Sequence, residues 1–287
     1  MDTLSAVRTV RTVADLRARV ADWHREGLTV ALVPTMGALH AGHLALVERA
    51  RTLADRVVAS IFVNPTQFAP HEDFDRYPRD EAGDAAKLAS AGCDLLYAPS
   101  VAEMYPEGFC TAISVGGPAE GLCGTFRPQM FGGVAVVVTK LFLQARPDVA
   151  VFGEKDYQQL QVIRRFARDL DIPVRVEGAP TVREADGLAM SSRNAYLGTD
   201  ERARAPELYR ALCAAAEALA HGEAAGPAIE AAMARIAAAG FGRIDYVELR
   251  DAATLAPLER ADRPARLLAA AWMGKARLID NVPVVPR

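Results

Sequence analysis

The 287-residue sequence has little of what marks several common classes of protein. Its four cysteines, Cys93, Cys110, Cys123 and Cys213, lie far apart and form no CxxC pair. That spacing argues against a zinc site and against a disulfide framework. No apolar run approaches the ~18 residues needed to span a membrane, and the first 20 residues carry scattered arginines without the apolar core of a signal peptide. We therefore expect a cytoplasmic protein without a membrane partner.

The chain also lacks a basic excess, since 33 Lys and Arg stand against 36 Asp and Glu, for a formal net charge of −3. Nucleic acid is therefore not an expected partner, and a small-molecule substrate is favoured. What the composition does offer is a hydrophobic content of 51%. A chain of this length and content predicts one large domain or two unequal ones, with ample core for either.

Strand-like and helix-like segments alternate up to about residue 180. Residues 57–63 form a short β-branched run typical of a parallel strand buried on both faces, and residues 12–26 and 157–170 have the periodicity of amphipathic helices. Residues 111–115 predict a further strand, whereas residues 134–144 fit either strand or helix by propensity. The alternation predicts a doubly wound, mostly parallel α/β sheet with ligands at the carboxyl ends of its strands.

The composition changes after about residue 181, where alanine-rich helical segments are followed by strand-like runs. The predicted helices cover residues 199–220 and 227–239, and the predicted strands cover residues 244–250, 266–272 and 276–279. Helices followed by strands predict a separate, smaller α+β domain. We place the two domains at residues 1–182 and 183–287.

The stretch that most suggests chemistry is residues 28–47, where an apolar run ends at Pro34 and a glycine-containing turn leads to His40-Ala41-Gly42-His43. A strand, turn and helix in this order bring two imidazoles and the free N–H groups of the first helical turn to one small volume, which suits a phosphate. Imidazole donors and a helix N-terminus stabilise charge on a phosphorus under attack. Two alternatives stay open, a metal-binding pair without an obvious third ligand and two structural histidines.

A second candidate segment is Gly153-Glu154-Lys155-Asp156, between a predicted strand and a predicted helix. Lys155 at such a turn would bring a compact positive charge to phosphate oxygens. Asp156 would either cap the helix or meet a hydrated Mg²⁺. Taken alone, these four residues fit an ordinary solvated turn better than a phosphate site.

A third candidate, Met190-Ser191-Ser192-Arg193, follows the turn signal Asp186-Gly187. Two hydroxyls and a guanidinium on a loop can close over a triphosphate. The alternative without a binding role is a serine that caps a helix beside an exposed arginine. Gln67 and Gln159 offer donors and acceptors for a hydroxy acid, although each taken singly fits a surface glutamine.

Together these stretches resemble the pantothenate synthetase (pantoate–β-alanine ligase) family, in the His-x-Gly-His nucleotidyltransferase superfamily that shares this element with class I aminoacyl-tRNA synthetases. The resemblance covers nearly the whole chain, through PTMGALHAGHL at 34–44, FVNPTQF at 62–68, YPRD at 77–80, PDVAVFGEKDYQQL at 147–160, PTVREADGLAMSSRNAYL at 180–197 and RLIDN at 277–281. It implies a Rossmann-like domain with a smaller C-terminal lid domain, a homodimer, and a helix for residues 134–144.

The resemblance implies that ATP, (R)-pantoate and β-alanine are converted to pantothenate, AMP and diphosphate through pantoyl adenylate, a step of coenzyme A biosynthesis. By position, the catalytic residues would be His43, His40, Lys155, Ser191, Ser192 and Arg193. The ATP pocket would consist of Met36, Gly37, Ala38, Leu39, His40, Ala41, Gly42, His43, Gly153, Glu154, Lys155, Asp156, Val182, Met190, Ser191, Ser192 and Arg193. Pantoate and β-alanine would bind at Gln67, Gln159, Asn64 and Arg127. Mg²⁺ would bridge the ATP phosphates and keep several waters, so no protein ligand is assigned to it.

The chain departs from the family pattern at two positions. Where the family commonly has Arg-Pro-x-His-Phe-x-Gly, residues 127–133 read RPQMFGG, so that Met130 replaces a histidine, and Val136 replaces a threonine. We expect altered packing or weaker substrate affinity and not lost activity, because the residues assigned to the phosphates are intact. Two rival functions are a nucleotidyltransferase that keeps its product and a catalytically silent nucleotide-binding protein.

Overall fold

The computed structural model describes residues 7–69 and 74–287. The strands are β1 (Thr9–Val10), β2 (Val30–Thr35), β3 (Arg56–Ile61), β4 (Leu95–Tyr97), β5 (Val149–Gly153), β6 (Arg175–Ala179), β7 (Arg243–Asp251), β8 (Ala265–Met273) and β9 (Ala276–Val284). The helices are α1 (Val13–Arg25), α2 (Ala41–Arg51), α3 (Glu81–Ser90), α4 (Val101–Met104), α5 (Cys123–Phe126), α6 (Met130–Ala145), α7 (Tyr157–Asp169), α8 (Thr199–Arg204), α9 (Glu207–Ala220) and α10 (Ala225–Ala238). Short 3₁₀ turns cover Pro65–Gln67, Gly117–Ala119, Glu154–Asp156 and Ser192–Tyr196. Within the described residues, no helix combines the length and the apolar character needed to cross a membrane.

The chain divides into two compact units. The first consists of Met1–Val115, Arg127–Glu154 and Val162–Pro180, and the second of Gly116–Phe126, Lys155–Gln161 and Thr181–Arg287. The second unit thus takes in two short earlier segments besides the C-terminal part. The domain boundary at residue 182 stays a prediction.

The first unit holds a parallel sheet of six strands in the order β1-β4-β3-β2-β5-β6. The central strands are almost wholly apolar, and Leu32, Val33 and Val58 are fully buried. Side chains alternate between the two faces of a strand, so a strand that is apolar throughout needs cover on both sides. On one face, α2 and α3 cover a cluster that includes Val33 and Val57, and the doubly wound parallel sheet predicted from the sequence is confirmed.

Two ambiguous stretches of the first unit are decided by packing. The strand predicted at residues 111–115 is wrong, because these residues are exposed or half-buried and pair with no strand in the described part of the chain. The free edge of β4 is instead taken by β1, which the pattern did not predict. Residues 134–144 lie within α6, so the helix implied by the resemblance is confirmed. This helix is buried along most of its surface, and such burial overrides the strand propensity of its valines.

The second unit contains an antiparallel sheet, β7-β8-β9, packed against α9 and α10. Its core includes Leu212 and Leu219 of α9, Ile236 of α10 and Leu267 of β8, all fully buried. The predicted small α+β element is confirmed. The single helix predicted over residues 199–220 is two helices, α8 and α9, because Pro206 lacks a backbone N–H and begins the second one.

Candidate active site

The predicted phosphate site lies at the carboxyl ends of β2 and β5. Strand β2 pairs with β3 on one side and with β5 on the other. The chain leaves β2 towards β3 and β4, and later returns to add β5 and β6 on the opposite side. Strand order therefore reverses between β2 and β5, where the crevice outside the carboxyl ends is the usual ligand position in open α/β sheets. Thr35 and Gly153 end the two strands at this edge.

A tight turn joins β2 to α2. Gly37 and Ala38 have positive φ values of 83° and 51°, a conformation that costs free energy for the alanine. Thr35 holds the start of the turn, because its Oγ1 accepts the N–H of Gly37 at 3.2 Å and donates to the carbonyl of Ser60 at 2.7 Å. The turn ends at Leu39, whose side chain is buried.

His40 and His43 cap the N-terminus of α2. The Nδ1 atom of His40 accepts the N–H of Gly42 at 3.2 Å, and the Nδ1 atom of His43 accepts the N–H of His40 at 3.3 Å. The two ring centroids lie 4.1 Å apart. A neutral imidazole has one donor and one acceptor nitrogen, so rings that accept through Nδ1 carry their proton on Nε2. In that tautomer Nε2 is the donor nitrogen of each ring, and both residues lie at the positive end of the helix dipole.

Asn64 is buried at the start of the turn that carries Gln67. Its Oδ1 accepts hydrogen bonds from the Tyr105 hydroxyl at 2.7 Å and the Thr66 hydroxyl at 2.9 Å. Its Nδ2 donates to Gln67 Oε1 and to the carbonyl of Gly133, both at 3.2 Å. Burial raises the pKa of Tyr105, so this hydroxyl stays a donor at neutral pH. With both ends of its amide engaged, Asn64 acts as a support for Gln67.

The structure brings four residues singled out in the sequence together in the first unit. Gln67 Nε2 lies 2.9 Å from the Sδ atom of Met36, and Arg127 Nη2 donates to the carbonyl of Gln67 at 3.3 Å. Arg127 Nη1 lies 2.7 Å from the Sδ atom of Met130, the residue that replaces the histidine of the family pattern. Met130 is buried at the start of α6, so the substitution changes what the Arg127 guanidinium contacts.

Helix α6 approaches the 3₁₀ turn so closely that only glycine fits at residue 133. A Cβ atom there would lie 2.5 Å from the carbonyl oxygen of Thr66 and 2.8 Å from the N atom of Gln67. We expect Gly133→Ala to destabilise the protein by about 1–3 kcal/mol, the usual range for overpacking, and to raise the KM of the substrate predicted to bind at Gln67 by displacing that residue. Urea unfolding and steady-state kinetics measure the two effects.

Gly132→Ala is the matched control, because its Cβ would meet its nearest neighbour, the carbonyl oxygen of Ile113, at an ordinary 3.4 Å. The control is expected to keep both stability and KM, since alanine is the better helix former. If the two variants had the same stability and the same KM, a close approach of the helix to the 3₁₀ turn at Gly133 would be contradicted.

In the second unit, Lys155 is held through its backbone. Its carbonyl accepts a hydrogen bond from Asn281 Nδ2 at 3.0 Å, and its Nζ lies 3.7 Å from Asp156 Oδ2. Gln159 is half-buried, whereas its neighbour Gln158 is buried and hydrogen-bonded to backbone groups that include the N–H of Cys123. Of these two adjacent glutamines, Gln158 therefore has a structural role.

The loop of residues 182–193 forms a hairpin-like turn within the second unit. Met190 donates its N–H to the carbonyl of Val182 at 3.0 Å. Ser191 Oγ accepts the N–H of Arg193 at 3.3 Å and caps the 3₁₀ turn that begins at Ser192, so the capping alternative holds for Ser191. At the tip of the loop, a hydrogen bond from Arg202 lowers the pKa of Asp186.

Two ion pairs that support candidate residues were missed in the sequence. In the first unit, buried Asp84 pairs with Lys87 beside the turn before His40. In the second unit, Arg183 donates two hydrogen bonds to buried Asp280, at 2.7 and 2.8 Å. A detectable signal for Asp84 was its position four residues before the apolar Leu88, a spacing that puts both side chains on the same face of a helix, here the buried face of α3.

Among the described residues, no group of three or more His, Cys, Asp or Glu side chains is placed to hold a metal ion.

The fold and these residues define a Rossmann-like α/β protein with a His-x-Gly-His element at the switch point of its sheet. The family model described as pantoate-beta-alanine ligase matches residues 8–283. The chain belongs to this family of ligases, whose reaction is the ATP-dependent condensation of pantoate with β-alanine.

Individual members of the family are similar to this chain over nearly their full length. The pantothenate synthetase of Paramagnetospirillum magneticum is 66% identical, over 98% of this chain and 99% of that protein. The crystal structure of pantothenate synthetase from Thermus thermophilus is 52% identical, with a TM-score of 0.91 over 98% of this chain and 100% of that one. A pantoate-beta-alanine ligase from Francisella tularensis, complexed with beta-gamma ATP and beta-alanine, is 32% identical, with a TM-score of 0.81 over 96% of this chain and 97% of that one.

Proposed function

We propose that this chain makes pantothenate in two half-reactions linked by pantoyl adenylate. In the first, a carboxylate oxygen of (R)-pantoate attacks the α-phosphorus of ATP, and the bond to the bridging oxygen breaks to release diphosphate. In the second, the amine of β-alanine attacks the acyl carbon and loses a proton, while the C–O bond to the phosphate breaks and AMP departs. Adenylation thus supplies the leaving group that a free carboxylate lacks.

His40 and His43 carry this proposal. Both rings accept backbone N–H groups through Nδ1, which makes Nε2 the donor nitrogen of each ring at the N-terminus of α2. Donors that are fixed before the reaction stabilise the charge that builds on the α-phosphate without reorganising. His43 is assigned as the catalytic histidine, His40 as its partner at the phosphates, and Gly42 as the residue that admits close backbone approach.

The remaining candidates are assigned by chemistry and by position in the family motifs. Lys155, Ser192 and Arg193 would bind phosphate oxygens through charge-assisted hydrogen bonds, and Ser191 would shape the loop that presents them. Met36, Gly37, Ala38, Leu39, Ala41, Gly153, Glu154, Asp156, Val182 and Met190 would complete the ATP pocket. Gln67, Gln159 and Arg127 would hold pantoate and β-alanine, with Asn64 supporting Gln67.

We further propose that Mg²⁺ enters with ATP, held mainly by phosphate oxygens and water. It would neutralise part of the phosphate charge. A homodimeric state and a cytoplasmic location are also proposed, from the resemblance to the family.

Diphosphate release tests the function directly. With ATP, Mg²⁺ and pantoate but no β-alanine, we expect a burst of about one equivalent per site, because the adenylate stays bound. Adding β-alanine should convert the burst to steady turnover with formation of AMP. A nucleotidyltransferase that keeps its product would not respond to the amine, and a silent binding protein would release no diphosphate under any combination.

A further inference from the structure

We propose that Asp84 and Lys87 of α3 are positioning residues for His40 and His43, acting through the backbone of Leu39. This inference rests on the function proposed for the two histidines. We call the pair and its two hydrogen bonds to Leu39 the Leu39 clamp.

The clamp holds Leu39 through both of its backbone polar groups. Asp84 Oδ1 accepts the N–H of Leu39 at 2.9 Å, and Lys87 Nζ donates to the carbonyl of Leu39 at 2.9 Å. The same Lys87 Nζ lies 3.4 Å from Asp84 Oδ1, so the two side chains are also paired with each other. One residue of the turn is therefore held between a carboxylate and an ammonium group.

Burial makes the Asp84 carboxylate an unusual choice for a merely structural role. Its side chain is 1% exposed, and a buried charge is costly unless it is paired and hydrogen-bonded. Among the described residues, no donor lies within hydrogen-bond distance of its Oδ2 atom. One oxygen of the carboxylate is thus committed to Leu39 and Lys87, and the other is desolvated beside the turn.

The second carboxylate oxygen, Oδ2, lies close to Gly37. A Cβ atom at residue 37 would stand 3.1 Å from Asp84 Oδ2 and 3.2 Å from the Cγ2 atom of Ile61. Asp84 therefore contacts the turn at its beginning as well as at its end. Thr35 fixes the other side of Gly37, as described above, and so the whole turn is held between β2 and α3.

The turn needs this support because of its backbone conformation. Ala38 has a φ of 51°, which a residue with a Cβ adopts only when its surroundings impose it. Leu39 directly precedes His40, whose own N–H bonds to the ring of His43. A shift of the Leu39 peptide would therefore move the N-cap of α2 and both imidazoles together.

Catalysis is sensitive to such a shift. Transition-state donors must be held within about 0.5 Å of their productive positions, and a misplacement of about 1 Å costs on the order of 10²-fold in rate. We therefore expect Asp84→Ala to slow single-turnover adenylation by about 10- to 100-fold. Asp84→Asn should slow adenylation less than Asp84→Ala does, since its amide oxygen can still accept the Leu39 N–H.

The tautomers of the two imidazoles test the clamp, because a general loss of stability would not change them in protein that stays folded. Long-range ¹H–¹⁵N spectra of the imidazoles report which nitrogen carries the proton, and the chain has 5 histidines to assign. In the wild type, His40 and His43 should be single Nε2–H tautomers. In folded Asp84→Ala they should become mixtures, because the backbone donors no longer face Nδ1.

Asp55→Ala is the matched control. Asp55 is exposed and accepts the N–H of Thr29, just before the start of β2, at 2.9 Å, so its loss removes a bond of the same type and length at the end of β2 far from the turn. The control should keep both the adenylation rate and the tautomers. A folded Asp84→Ala protein that matches Asp55→Ala in rate and in ring spectra would overturn the clamp.

Lys87→Met covers the case in which Asp84→Ala does not fold, because the Lys87 side chain is 44% exposed and its removal is better tolerated. It should also produce mixed tautomers, and unchanged spectra would overturn the proposal. These spectra need no turnover. If the wild type released no diphosphate, the proposed function would fail while the spectra still tested the clamp.

Discussion

His43→Ala is expected to slow pantoyl adenylate formation by roughly 10²–10³-fold, the scale of one lost transition-state donor. The variant removes the Nε2–H group while α2 keeps its other backbone bonds. Loss of the cap to the His40 N–H should cost about 1 kcal/mol of stability at most. Single-turnover diphosphate release and urea unfolding measure the two effects.

Two further substitutions separate the donor of His43 from its capping role. His43→Asn keeps an acceptor near the position of Nδ1 and removes the donor, so it should be as slow as alanine. His43→Gln places an amide donor near the position of Nε2 and should recover part of the rate. His221→Ala, at an exposed histidine beside Arg287, should match the wild type. A near-wild-type rate for His43→Asn would assign His43 to capping alone.

Arg183→Met is expected to lower the free energy of unfolding of the second unit by about 3–5 kcal/mol, the cost of breaking a buried ion pair from one side. The Asp280 side chain is 4% exposed and that of Arg183 is 18% exposed. Removing the guanidinium leaves a buried carboxylate without its counter-ion. Arg183 also donates to the carbonyl of Gly187 and stacks on the ring of Tyr209, so the tip of the loop should loosen as well.

The two tryptophans allow this loss to be located. Trp23 lies in α1 of the first unit and Trp272 in β8 of the second, so urea unfolding of a Trp23→Phe background reports on the second unit. Arg210→Met is the control, because the exposed pair of Arg210 with Glu207 at 3.4 Å should be worth under about 1 kcal/mol. A loss no larger than the control's would show that the Arg183–Asp280 pair is dispensable.

Much of the architecture follows from local patterns. Buried parallel strands such as β3 are visible as continuous β-branched runs, and α1 is visible from its apolar period and its Thr12 cap. The strand predicted at residues 111–115 failed for a non-local reason. These residues have the composition of a strand but pair with none in the described ranges, and pairing is not a local property.

The candidate site likewise contains residues that the sequence predicts and residues that it does not. The order strand, glycine turn and His40-Ala41-Gly42-His43 was sufficient to predict histidines at a helix N-terminus. The residues that hold them were not predictable from spacing, since Asp84 is 45 residues from Leu39 and Arg183 is 97 residues from Asp280. Such pairs are brought together only by the packing of separate elements.

The sequence by itself determined the doubly wound class of the first unit, the small α+β class of the second, and the identity of the motif residues, because periodicity, capping and turn chemistry act over a few neighbours. Only the tertiary structure decided which side chains hold Leu39, which side chain pairs with Asp280, and why residue 133 must be glycine. These properties depend on distances between segments far apart in the chain, and those distances are set by the burial of apolar faces against one another.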